Sequence, residues 1–230
     1  MKLNGIKAIA FDADDTLWVN EPYFRKTEKE FCELLKDFLP EKECNKVLFE
    51  IEIKNLALYG YGIKPFVLSL IEAAITISNH EIPISVVSTL IDKAKQMCNE
   101  PIELLDGIEN TLKILSEKYR LVMASKGDLL DQERKLIKSG LENYFHHIEI
   151  VSDKTPKHYK KLVKHLDILP EEFLMVGNSL KSDILPVLDM GAYAFHIPYH
   201  TTWAYEVVSE KITHSKFHEI ENASDLLNYL

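Results

Sequence analysis

From about residue 102 onward the chain alternates short apolar runs with helical patterns, and this alternation restricts its fold more than any other feature. Residues 121–124, 148–151, 173–176 and 193–197 are apolar runs of four or five residues, short enough for strands and apolar enough to be covered on both faces. Between them lie helical patterns ended by glycine, with Gly140 and Gly191 placed as C-terminal caps. Strands alternating with helices predict right-handed crossovers and a layered α/β protein with a parallel sheet. A further run, 6–11, has the same texture but stands apart from the others. Residues 24–98, in between, carry helical stripes: Phe31, Leu34, Leu35 and Phe38; Ile63, Phe66, Val67, Leu70, Ile71, Ala74 and Ile75; Val86, Val87, Leu90, Ile91, Ala94 and Met97. The expectation is a block of about four helices inserted after the first strand.

Charge narrows the partners. The 230 residues carry a net charge of −9, whereas nucleic acid or an anionic membrane surface would call for a basic face. No apolar run approaches the ~20 residues of a membrane-spanning helix, and 6–11 is too short, and too soon followed by acid, for a signal peptide. Cys32, Cys44 and Cys98 form no CxxC pair and are odd in number, which favours buried thiols in a reducing cytoplasm.

In a parallel sheet, ligands collect at the carboxyl ends of the strands, so the residues that follow each run are the ones that matter. The first run ends in Asp12, Asp14, Asp15 and Thr16; the second in Ser125, Lys126, Gly127 and Asp128; the third in the stretch Ser152 to Lys157; the fourth in Gly177, Asn178, Ser179 and on to Asp183. Crowded carboxylates repel unless a cation lies among them, and a hard cation such as Mg²⁺ takes oxygen ligands of this kind. With a phosphate facing the cation, Asp12 or Asp14 could attack phosphorus, and the second carboxylate could carry a proton to the leaving oxygen if its environment raises its pKa. Lys154 and the Ser125 hydroxyl would hold the phosphoryl oxygens, with Lys126 beside them.

These residues resemble the haloacid dehalogenase superfamily, most of whose members are Mg²⁺-dependent phosphatases acting through an aspartyl-phosphate. The resemblance spans the chain. It implies an α/β fold, with a Rossmann-like parallel sheet core formed by residues 1–17 and 102–230 and an inserted all-helical cap at 18–101. It makes Asp12 the nucleophile and Asp14 the general acid/base, and gives Ser125, Lys126 and Lys154 to the phosphoryl group. Asp12, the Asp14 carbonyl, Asn178 and Asp183 are assigned to Mg²⁺. In members that remove halogens an aromatic residue would replace the second aspartate, so Asp14 points to a phosphatase of a small phosphorylated metabolite. Two positions depart from the family pattern: Asp15 stands where glycine is frequent, and Asn178 where an acid is expected. Lys154 precedes a proline-containing turn and is preferred to Lys157. In the family the cap selects the substrate, which makes Arg25, Tyr61 and Lys64 candidates for touching the leaving group. The same residues would serve a phosphomutase, and loss of charge at Asn178 would suit a non-catalytic phosphate- or partner-binding protein.

Each motif alone has an ordinary reading: Asp12 to Asp15 as a solvated turn or helix cap, Ser125 as a cap, Lys154 as a surface charge. Their joint occurrence at successive strand ends outweighs those readings. His196 with His200, and His214 with His218, have i, i+4 spacing, but Pro198 breaks the first pair and packing or surface roles are preferred. Tyr59 to Gly62 lacks the third glycine of a dinucleotide fingerprint and reads as a turn.

Overall fold

The computed structural model describes residues 2–230, which divide into two compact units: the chain up to Glu21 together with Ile102–Leu230, and Pro22–Pro101. The first boundary falls at 21/22 and not at 17/18. Trp18 is fully buried in the first unit and bridges Asp14 and Leu104, so residues 18–21 pack with the sheet.

The first unit is built on a six-stranded sheet: β1 (Ala8–Phe11), β2 (Arg120–Lys126), β3 (His147–Val151), β4 (Phe173–Gly177), β5 (Tyr193–His196) and β6 (Phe217–Glu219). Strand order is β3-β2-β1-β4-β5-β6, and all five pairings are parallel. β1 lies in the middle, between β2 and β4. Alternate side chains of each strand serve opposite layers. Ile9, Phe11, Leu121, Met123, Leu174 and Val176 pack with Ile108, Leu112 and Leu115 of α5 (Ile108–Ser116) and Leu136 of α6 (Leu129–Ser139). Ala8, Ala10, Val122, Ala124, Phe173 and Met175 pack with Tyr159, Leu162 and Val163 of α7 (Pro156–His165) and Val187 and Leu188 of α8 (Leu185–Leu188). Burying each large apolar side chain stabilises the fold by about 1.5–3 kcal/mol, which is why the apolar runs settle in the middle layer.

The second unit comprises most of α1 (Glu21–Leu34) with α2 (Glu41–Tyr59), α3 (Ile63–Ile77) and α4 (Ile84–Asn99). Phe31, Leu35, Leu48, Phe66, Leu70, Ala74 and Leu90 form its core. Cys32 and Cys44 are buried in it, and none of the three cysteines is in a disulfide. Gly60 and Gly62 make the turn between α2 and α3 with φ of 73° and 116°, backbone that β-carbon-bearing residues rarely adopt. Arg25 pairs with Glu28 one turn on, at 2.6 Å. Among the described residues no helix is long and apolar enough to cross a membrane.

Candidate active site

The four strand-end loops meet around Asp12, the first residue past β1. Its backbone N–H donates to the carbonyl of Val176 at 2.9 Å, extending the β1–β4 ladder by one bond and fixing where the carboxylate emerges. The Lys154 ammonium, buried before α7, donates to Asp12 and, at 2.7 Å, to Oδ1 of Asp183. Thr155 caps α7 and Pro156 occupies its first turn, which places Lys154 just ahead of a rigid helix start, while Lys157 is exposed on that helix. Burial and the facing Asp183 raise the Asp12 carboxyl to about 7 against the pull of Lys154. Burial would lower the Lys154 ammonium, but Asp12 and Asp183 outweigh it and hold its pKa well above the usual lysine value.

The fourth loop is shaped by contact with Asp183. β4 ends at Gly177, where a Cβ would lie 2.3 Å from Asp183 Oδ2, so the glycine makes room for the carboxylate. A π-helical turn over Leu180–Ile184 carries Asp183 inward, and the Ser179 N–H donates to Asp183 Oδ2 at 3.0 Å. Thr16 connects this loop to the first: its hydroxyl donates to Asp12 at 3.1 Å and accepts the Asn178 N–H at 3.1 Å. The Asn178 side-chain oxygen lies 3.3 Å from the same hydroxyl. Ser125 is buried at the end of β2, in register with Ile150 of β3.

Asp14 is held differently from Asp12. Its carboxylate accepts from Trp18 Nε1 at 2.8 Å, Gln132 Nε2 at 2.8 Å and Lys135 Nζ at 2.9 Å. Burial acts to raise its pKa, but Lys135 and the other two donors outweigh this and keep the group below the usual aspartate range. The raised pKa that an acid role calls for is therefore absent in this arrangement. Asp15 takes a left-handed conformation, φ 62°, which explains why a glycine would suit the position. Its side chain accepts the N–H groups of Asn20 (2.8 Å) and Glu21 (3.0 and 3.1 Å), so it is the cap group for the start of α1.

Lys126 faces the same sheet layer as Asp12 and Lys154, and is engaged by the Glu206 carboxylate and, at 2.8 Å, by the Ser182 hydroxyl. His196, at the end of β5, contacts the Asn178 carbonyl through Nε2 and Glu219 through Nδ1, both at 3.0 Å. It is thus a packing residue behind the fourth loop. Among the described residues no group of three or more His, Cys, Asp and Glu side chains could hold a metal ion. Trp18, Gln132, Lys135 and Glu206 carry no sequence signal of their own; they reach the loops only through folding.

The donor chemistry nevertheless suits a hard divalent cation. Two buried carboxylates, Asp12 and Asp183, share one ammonium, and burial first, then the facing Asp183, raise the Asp12 carboxyl to about 7. Mg²⁺ is bound by one or two carboxylates with several waters retained, so two acids and an amide oxygen are a sufficient set.

Comparison with known proteins agrees with this architecture. The chain is similar to a glyceraldehyde 3-phosphate phosphatase of Methanothermobacter thermautotrophicus, 27% identical over 202 residues that make up 82% of this chain and 84% of the relative. Among solved structures, a haloacid dehalogenase-like hydrolase from Xanthomonas campestris superposes with a TM-score of 0.86 at 32% identity, covering 96% of this chain and 88% of that one. A putative hydrolase of the same type from Bacillus subtilis, bound to magnesium, superposes with a TM-score of 0.66 at 17% identity, covering 97% of each chain, which reflects the shared fold. The family model for haloacid dehalogenase-like hydrolases matches residues 6–191, most of the sheet unit and all of the helical one, and the chain belongs to that family.

Proposed function

We propose that this hydrolase is a phosphatase of a small phosphorylated metabolite that passes the phosphoryl group first to Asp12 and then to water. The observation that carries the reading is the buried Lys154 ammonium shared by Asp12 and Asp183, a cation held beside a carboxylate at the end of the central strand. Relatives named glyceraldehyde 3-phosphate phosphatase support a three-carbon phosphate ester as the type of substrate. The free cysteines support a reducing compartment such as the cytoplasm.

Asp12 Oδ attacks phosphorus and forms an O–P bond as the bond to the leaving alcohol breaks. Lys154 and the Ser125 hydroxyl, both buried, orient the phosphoryl oxygens, whose charge Lys154 offsets. Asp12, Asp183, the Asn178 side-chain oxygen and the Asp14 carbonyl would hold Mg²⁺. When bound, the ion supplies positive charge that lets a carboxylate approach a phosphate dianion. Asp14, kept ionised by Lys135, Gln132 and Trp18, is ready to take a proton from the water that splits the acyl phosphate. Protonating the leaving alcohol requires Asp14 to give up that hold, so esters whose leaving group needs no proton should react fastest.

Phosphate release from p-nitrophenyl phosphate and a panel of metabolite esters, with and without Mg²⁺, tests the proposal. Mg²⁺-dependent release is expected, with the aryl ester ahead of alkyl esters and kcat lowered by at least roughly 1,000-fold in Asp12→Asn. Release unaffected by Asp12→Asn would refute it.

A further inference from the structure

A carboxylate far along the sequence sits among residues of two site loops. Glu206 belongs to the irregular segment between β5 and β6, yet it is buried and accepts from three side chains. Lys126 Nζ donates to Oε1, while the hydroxyls of Ser179 and, at 2.6 Å, Ser182 donate to Oε2. The neighbouring Tyr205 is anchored as well: Lys181 Nζ donates to its carbonyl at 2.9 Å and lies 3.1 Å from its ring centre. Burial would raise the Glu206 carboxyl, but Lys126 and the two hydroxyls outweigh it and keep the group ionised.

The neighbours of these donors are site residues. Lys126 directly follows Ser125, and Ser182, to which Lys126 also donates, directly precedes Asp183. By strand alternation Lys126 shares its sheet face with Val122 and Ala124, the face on which Asp12 follows Ala8 and Ala10. A second ammonium thus lies on the sheet face that carries Asp12, and the Glu206 carboxylate answers its charge from within the chain.

We propose that Glu206 is a positioning residue that sets the affinity of the site for phosphate by holding the Lys126 ammonium, so that product is bound loosely enough to leave. This rests on the phosphatase reading. Without the Glu206 charge, Lys126 would be drawn to the phosphoryl group, since a partly buried cation attracts an anion more strongly once a carboxylate beside it is neutralised. Substrate and product would both be held more tightly, and turnover would fall with release.

Calorimetric titration of inorganic phosphate into the full chain with Mg²⁺ present tests this in four proteins: wild type, Glu206→Gln, Lys126→Met, and the double variant. Glu206→Gln should bind phosphate at least about fivefold more tightly and show lower KM together with lower kcat; Lys126→Met should bind more weakly; the double variant should return to within about twofold of wild type. A loop that merely collapsed would weaken binding in every variant. If Glu206→Gln does not fold, Glu206→Asp, which keeps the charge but withdraws it by one methylene, should show a smaller tightening. Unchanged or weaker phosphate binding by a folded Glu206 variant, or a double variant as tight as Glu206→Gln, would overturn the proposal. A wild type that hydrolyses no phosphate ester would instead remove the phosphatase reading itself, and this inference with it.

Discussion

At Gly177 a missing side chain is required by a neighbour and not by the backbone. An added Cβ would meet Oδ2, Cγ and Cβ of Asp183 at 2.3–2.6 Å, and Asp183 is fully buried with its oxygens engaged by Lys154 and Ser179. Gly177→Ala should therefore displace Asp183, costing about 1–3 kcal/mol in urea denaturation. The Mg²⁺ concentration for half-maximal activity should rise in step; an unchanged value would show that Asp183 is not part of the metal set. Asp15 shows a different solution at the same scale. It accepts a left-handed φ of 62° and uses its side chain to bind two backbone N–H groups, a gain no glycine could supply.

At the scale of elements, the strands and the loops behind them were legible because an apolar run followed by polar residues is a local pattern. The register then follows from burial on both faces. β6 was not legible: Phe217–Glu219 is three residues long, half-exposed, and held at the sheet edge by pairing with β5. The partners of the site were hidden for a related reason. Gln132 and Lys135 lie on α6, more than a hundred residues from the Asp14 they hold, and Glu206 lies 80 residues from Lys126. Only packing of α6 onto the sheet, and of the β5–β6 segment onto the fourth loop, brings them into place. The helical unit carries its own consequence of burial. Glu28 on α1 is pushed up to about 7 by desolvation and by Glu52, against Arg25. A raised acid pKa means that the folded state binds the proton more tightly. The Glu28 contribution is therefore fully present below pH about 4.5 and is lost as pH rises through about 7. Thermal or urea unfolding between pH 5 and 8 should show a decline to which the raised Asp12 also contributes, and Glu28→Gln should make that decline smaller by on the order of 2 kcal/mol. An identical decline in the variant would assign it to another group.

For the molecule as a whole, the two units have separate cores, and the chemistry expected of Asp12, Asp14, Ser125, Lys154, Asn178 and Asp183 resides in the sheet unit alone. A ligand that binds only the folded sheet should raise the melting temperature. Mg²⁺ at about 100 times its dissociation constant contributes about 2.7 kcal/mol, or roughly 5–10 °C for a chain of this size. Asp183→Asn should remove most of that shift, whereas Lys157→Met, on the exposed face of α7, should leave it unchanged. The central claim is that Asp12 itself receives the phosphoryl group. Acid quenching during turnover, borohydride reduction of any acyl phosphate and peptide mapping by mass spectrometry test it directly. The expected result is reduction at Asp12 that depends on substrate and Mg²⁺; reduction confined to another carboxylate, or none while phosphate is being released in a burst, would contradict it.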